Sequence, residues 1–147
     1  MRRLPRVMLV LLIMFAPAYT SVSAQVGGEP TQESGGFTLE QNYPNPFNPE
    51  TRIPFVLHEE LFADGRPVVV SMRIFNLIRQ PVAVPQALNH PAGQGALLVQ
   101  LTYDRPGRHE AFWDGRDFAG ATVASGVYWV QLTVNGVSKA KKIIVTK

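Results

Sequence analysis

The stretch Gln41-Asn42-Tyr43-Pro44-Asn45-Pro46-Phe47-Asn48-Pro49 constrains this chain more than any other. Three prolines fall within six residues, and each holds φ at about −65° and removes a backbone donor. Tyr43, Asn45 and Asn48 each precede a proline and are biased away from helix. Asn-Pro pairs open turns, and prolines at this density exclude both a helix and a central strand. The residues predict a stiff, kinked segment that carries Tyr43 and Phe47 into whatever follows and fixes where the next strand begins.

Beyond it the pattern is that of strands. Arg52 to Leu57 alternates, with Ile53, Phe55 and Leu57 on one face; Pro54 makes it an edge strand or sits where its N–H is not needed. Val68 to Asn76 is the strongest strand, with Val68, Val70, Met72 and Ile74 facing one way. Gln80 to Leu88 is a weaker strand broken by Pro81 and Pro85. Asn89 to Gly95 is a loop. Ala96 to Tyr103 predicts a strand with Leu97, Val99, Leu101 and Tyr103 on one face. Arg108 to Trp113 sets His109, Ala111 and Trp113 opposite Glu110 and Phe112. In Val127 to Val134, Tyr128 and Trp129 must point to opposite faces. Asn135-Gly136 is a strong hairpin signal, since both central residues of a type I′ turn take φ > 0, and Val137 to Val145 returns as the last strand. No segment has helical periodicity. Seven to eight short strands with frequent turns predict an all-β fold, an antiparallel Ig-like or fibronectin-III-like β-sandwich.

The N-terminus reads as a secretory signal peptide, residues 1–24. Arg2, Arg3 and Arg6 precede an apolar run from Val7 to Ala18, and Val22-Ser23-Ala24 ends in small residues, placing cleavage between Ala24 and Gln25. The apolar run is shorter than the ~20 residues that span a bilayer, and no transmembrane segment is expected after cleavage. Of 14 basic residues, three lie in this peptide, against 11 acidic residues in the rest of the chain. The expected mature chain is therefore neutral, which removes the charge argument for a nucleic-acid partner. Residues 25–36, rich in Gly, Glu, Gln and Ser, read as a flexible linker, and 37–147 as the sandwich. There is no cysteine, so thiol chemistry, cysteine–zinc sites and a lipid-modified N-terminal cysteine are excluded, and the fold must hold by its core.

The segment Leu39 to Thr51 resembles the opening signature of the type A C-terminal sorting domain of the type IX secretion system. That family overlaps the Ig-like domain of the flagellar hook-capping protein. Five blocks carry the resemblance in order: Gln41 to Thr51; Arg73-Ile74-Phe75-Asn76; Trp113-Asp114-Gly115-Arg116-Asp117 with Gly120; Val123-Ala124-Ser125-Gly126-Val127-Tyr128; and Lys141-Lys142-Ile143-Ile144-Val145. Three departures stand out. Arg79-Gln80 replaces the family's glycine-containing turn, the segment 86–106 is longer, and only the linker 25–36 precedes the domain where the family usually carries a large cargo. The resemblance implies export to the periplasm by the general machinery. The type IX outer-membrane apparatus then passes the folded domain across, and the protein ends outside the cell or on its surface. A second reading stays open, motivated by the missing cargo. It is a free-standing structural or adhesive Ig-like module, or the remnant of a larger secreted protein, bound to a surface protein or polymer.

Residues able to carry chemistry are few. Asp114 and Asp117 lie three apart on a loop but lack the alternating oxygen ligands of a calcium loop. A turn in which Asp114 bonds its own backbone and Gly115 supplies φ > 0 accounts for them. His109, Asp114 and Ser125 lack the context of a nucleophile elbow, and His58 and His90 have no metal-ligand spacing. No enzyme, cofactor or metal is expected. The aromatics Tyr43, Phe47, Phe75, Tyr103, Phe112, Trp113, Tyr128 and Trp129 line either a groove or the core. Lys139, Lys141, Lys142 and Lys147 concentrate positive charge on the last strand and tail. They either guard an edge strand from aggregation or form part of the surface that the secretion machinery reads.

Overall fold

The computed structural model describes residues 35–147. The signal peptide with its Ala24–Gln25 junction, and residues 25–34 of the expected linker, lie outside the described residues. The chain forms two antiparallel sheets packed face to face. Strands β1 (Phe37–Leu39), β2 (Thr51–Leu57), β7 (Gly107–Trp113) and β5 (Gln86–Leu88) make one sheet in the order β1-β2-β7-β5. Strands β4 (Pro81–Ala83), β3 (Val68–Phe75), β8 (Gly126–Val134) and β9 (Val137–Val145) make the other in the order β4-β3-β8-β9, and β6 (Leu101–Tyr103) also pairs with β3. A 3-10 turn at Glu59–Phe62 follows β2. Among the described residues no helix is long and apolar enough to cross a membrane.

Among the described residues nine strands stand where seven to eight were expected, because the proline-broken segment after β3 divides between the sheets. Ala83 pairs with Ile74 in one sheet, and three residues later Gln86 pairs with Phe112 in the other. Pro85, with no N–H to offer a ladder, occupies the crossing.

The period-2 pattern fills the space between the sheets. Ile53, Phe55, Leu57, Ala111 and Trp113 from one sheet face Val68, Val70, Met72, Ile74, Val130, Leu132, Val134 and Ile143 from the other, all buried. Each large aliphatic or aromatic side chain buried there contributes about 1.5–3 kcal/mol. Asn135 and Gly136 turn between β8 and β9 with φ of 47° and 85°, as a type I′ hairpin requires.

Of the two places expected for Pro54, the chain takes the one where its N–H is not needed. Strand β2 is central, between β1 and β7, despite Pro54. Its residues facing β1 are Arg52, Pro54, Val56 and His58, since Arg52 and Tyr43 exchange bonds and His58 N–H donates to the Gly36 carbonyl. The donor that Pro54 lacks thus points past the end of β1, while its carbonyl accepts from Glu40 N–H at 3.0 Å. The strand expected over 96–103 is overturned. Only 101–103 is strand, and Leu98 is buried while Leu97 and Val99 are 49% and 46% exposed. Val99 N–H donates to the Leu97 carbonyl, a three-residue turn centred on Leu98. That turn breaks the alternation and swings Leu98 into the gap on the β3 edge between β4 and β6, where its carbonyl accepts from Met72 N–H at 2.8 Å.

Gly36, the expected last linker residue, is buried, and a Cβ there would meet the Leu61 side chain at 2.8 Å.

Candidate functional site

The residues singled out in sequence converge on one end of the sandwich and one strand. Three peptide bonds of the leading segment, before Pro44, Pro46 and Pro49, are cis. Phe47 is 1% exposed and meets Trp113 edge to face at 5.4 Å between ring centres; Trp113 in turn meets Tyr128 at 5.9 Å. These three rings close the end of the core. The Trp113 indole N–H donates to the Arg116 carbonyl at 2.9 Å and the Tyr128 hydroxyl to the Ala124 carbonyl at 3.0 Å, so both polar tips are satisfied on burial. Tyr43 was expected to plug in beside Phe47. It lies instead on the surface, 44% exposed, with its hydroxyl bonded to Glu110.

Buried Asn42 donates to the Pro44 carbonyl at 3.0 Å and to the Thr51 hydroxyl at 2.9 Å. This holds the first proline turn against the start of β2. Gly115 takes φ 71°, and a Cβ there would stand 2.3 Å from the Pro49 carbonyl oxygen, so the Asp114–Gly120 loop touches the leading segment backbone to backbone. Asp114 accepts from Arg116 N–H at 3.0 Å, and Asp117 accepts from Ala119 and Ala121 N–H at 2.9 and 3.0 Å. Both carboxylates thereby shape their own loop. Ser125 is exposed just before β8, and Gly126 opens that strand at φ 151°.

The leading segment also pins the last strand. Phe47 N–H donates to the Ile144 carbonyl at 3.0 Å, and Thr146 N–H to the Phe47 carbonyl at 2.9 Å, a parallel bridge. The Asn45 side chain accepts from Ile144 N–H at 3.0 Å, and the Gln41 side chain donates to the Lys142 carbonyl at 3.1 Å. Pro44, Pro46, Asn48 and Pro49 are exposed and bend the chain around these anchors.

The lysines do not form one patch. Lys139 and Lys141 share the inward-facing register of Ile143 and Val145, Lys142 faces outward beside Trp129, and Lys147 lies beyond the strand. The Lys139 ammonium donates to the Phe37 carbonyl at 2.5 Å and sits 4.6 Å from the centre of the Phe37 ring, which stitches β9 to β1. The other aromatics divide by register: Phe75 and Trp129 pair on the outer face, Tyr103 is buried and Phe112 is half-buried.

Two open cavities flank the core. One of about 650 Å3 is lined by Pro67, His90, Pro91, Tyr103, Arg105 and His109. Tyr103 and His109 meet edge to face at 4.5 Å between ring centres, and neither the Tyr103 hydroxyl nor His109 Nε2 has a hydrogen-bond partner among the described residues. Burial pushes the Tyr103 hydroxyl up to about 12; burial first, then the charge of His90, holds His109 below its ordinary value. Sequence reasoning missed this pair, because His109 reads as an ordinary inward strand residue. The second cavity, about 400 Å3, is lined by Leu97, Val99, Phe112, Asp114, Asp117 and Phe118 among others. His109 lies five residues from Asp114 along an extended strand, about 16 Å, and the Asp114 carboxylate is engaged by its own loop. Among the described residues no group of three His, Asp or Glu is placed to hold a metal. On the outer face of the β1-β2-β7-β5 sheet, Glu110 takes the Tyr43 hydroxyl, Arg52 and Arg108. The Tyr43 bond leads in holding Glu110 below the usual carboxylate range, and Glu110 in turn raises Tyr43.

No family model and no curated protein matches the chain. Two solved structures are similar in part. One is PorZ, a surface component of the type-IX secretion system of Porphyromonas gingivalis, with 23% identity over 73% of this chain and a TM-score of 0.41. The other is the alkylpurine DNA glycosylase AlkC of Pseudomonas fluorescens, bound to DNA containing an abasic-site analogue, with 14% identity over 76% of this chain and a TM-score of 0.46. The chain spans 11% of the first and 31% of the second. Neither likeness bears on what this chain does.

Proposed function

We propose that residues 37–147 are a non-catalytic sorting handle of the kind used in type IX secretion, on a chain exported through its signal peptide and then carried across the outer membrane. The observation that carries this reading is the use made of the signature residues. Asn42, Phe47, Trp113, Gly115 and Tyr128 lie far apart in sequence, yet they build one wedge, and that wedge fixes the last strand through Ile144 and Thr146. A label must be recognised as a folded surface. A strand anchored at both its hairpin and its far end presents such a surface with little ordering left to do on binding. Asn42, Asn45, Trp113, Asp114 and Tyr128 of the signature spend their polar groups on the wedge, its loop and the last strand, which favours a structural role for them over a catalytic one.

The test is a transplant. A periplasmic reporter with its own signal peptide is fused ahead of residues 35–147 and expressed in two hosts, one with the type IX apparatus and one without. The handle predicts reporter outside the first host and retained in the periplasm of the second. Retention in both, with the fusion folded and intact, would overturn the reading.

A further inference from the structure

Strand β9 is the edge of its sheet. Its backbone groups divide by parity, because antiparallel partners exchange bonds at alternate residues. The Ile144 N–H and carbonyl, the Thr146 N–H and the Lys142 carbonyl are all taken by the leading segment, so the even-numbered residues point away from β8. The Ser138 N–H and carbonyl, the Ala140 N–H and carbonyl, and the Lys142 N–H therefore face outward too, and no hydrogen bond among the described residues reaches them. Ser138, Ala140 and Lys142 are exposed. This open stretch is about 17 Å long.

From this we infer that Ser138–Lys142 accepts an extended acidic strand of a partner protein, added to the edge of the sheet. Three observations choose that occupant. The same edge already exchanges backbone bonds with another segment farther along, since Phe47 bridges Val145 in parallel through two such bonds, and the open stretch continues in line with it. The charge is one-sided: β9 carries Lys139, Lys141 and Lys142 and no acid, and no lysine of the described residues takes part in an ion pair. An added strand with carboxylates on both its faces would meet Lys141 on the inner side and Lys142 on the outer. A second copy is disfavoured by the same charge. Antiparallel pairing of β9 with itself about Ala140 would set Lys139 against Lys141, and like charges directly opposite destabilise a pair. Backbone bonds would supply the affinity and the lysines the selectivity. The inference rests on the domain being a handle for other proteins, but it concerns binding in solution and is tested apart from export.

The probes are two ten-residue peptides, one repeating Thr-Thr-Glu-Glu so that carboxylates fall on both faces of an extended strand, the other with lysine in place of glutamate. Each is titrated into the isotope-labelled full chain and followed by amide chemical shifts and hydrogen exchange. The acidic peptide should bind saturably, shift and protect the amides of Ser138, Ala140 and Lys142, and weaken as salt is raised; the basic peptide should not bind. Ala140→Pro removes an outward donor and no bond to β8, so it should abolish binding while the chain still melts cooperatively. Should that variant unfold, the double change Lys141→Glu with Lys142→Glu keeps the backbone intact. It should weaken the acidic peptide at least tenfold and admit the basic one. Equal binding of both peptides, shifts away from β9, no saturable binding, or a dimer through β9 in sedimentation would each overturn the inference.

Discussion

At Gly115 the pair Asp114-Gly115 announces its turn in sequence, but its neighbour does not show there. The Pro49 carbonyl lies where a Cβ would go, 2.3 Å away. Gly115→Ala should therefore cost more than a left-handed conformation alone. Denaturant unfolding should show a loss of roughly 2–4 kcal/mol. Gly120→Ala, at φ 81° with nothing within 4 Å, should cost about 1 kcal/mol. Arg79, standing where the resembled family has a glycine-containing turn, sits at φ 62°; the Asn76 side chain, accepting from Ile78 and Gln80 N–H, holds that turn together. The Tyr103–His109 pair was not legible, because burial of two polar tips without partners is a property of packing. It gives a pH signature. His109 is held below its ordinary value of 6.5 in the fold, so the unfolded chain binds the extra proton first. The stability this group supports is present above about pH 6.5 and is lost as pH falls below it. His109→Phe keeps a ring against Phe55 and Tyr103 and should flatten the decline in unfolding free energy as pH falls below about 6.5. An equally steep decline in that variant would assign the effect elsewhere.

Among the elements, strands with unbroken alternation were legible to within a residue or two. Val68 to Phe75, Val127 to Val134 and the Asn135-Gly136 hairpin follow directly from period 2 and turn chemistry. The failures share one cause: backbone bonds that leave the ladder. The three-residue turn at Leu98 reverses which side chain points in, and the crossing at Pro85 makes two strands of one. Neither is visible to a pattern that counts only side chains. The phase reversal makes a sharp prediction. Leu98→Ala removes a fully buried side chain and should cost about 2–4 kcal/mol. Leu97→Ala and Val99→Ala, at half-exposed sites, should stay within about 0.5 kcal/mol. Thermal and denaturant unfolding of the three variants distinguish the two phases, since the sequence pattern alone would rank them the other way.

In the molecule as a whole, the proline segment closes the end of the sandwich with Phe47. It satisfies part of the last strand with Asn45, Gln41 and its own backbone, and leaves the rest of that strand outward. The sequence shows that this segment is rigid and not helical; it does not show that its partner is a strand almost a hundred residues away, because long-range pairing leaves no local mark. The charge of that strand joins this architecture to its proposed use. The direct measurement is the distribution of the full chain between periplasm and cell exterior, in a host with the type IX apparatus, for the unaltered sequence and for Lys141→Glu with Lys142→Glu. Both proteins should melt alike, since neither lysine lies in the buried core. The account predicts the unaltered chain outside and the charge-reversed chain held in the periplasm; equal amounts of both outside would contradict it.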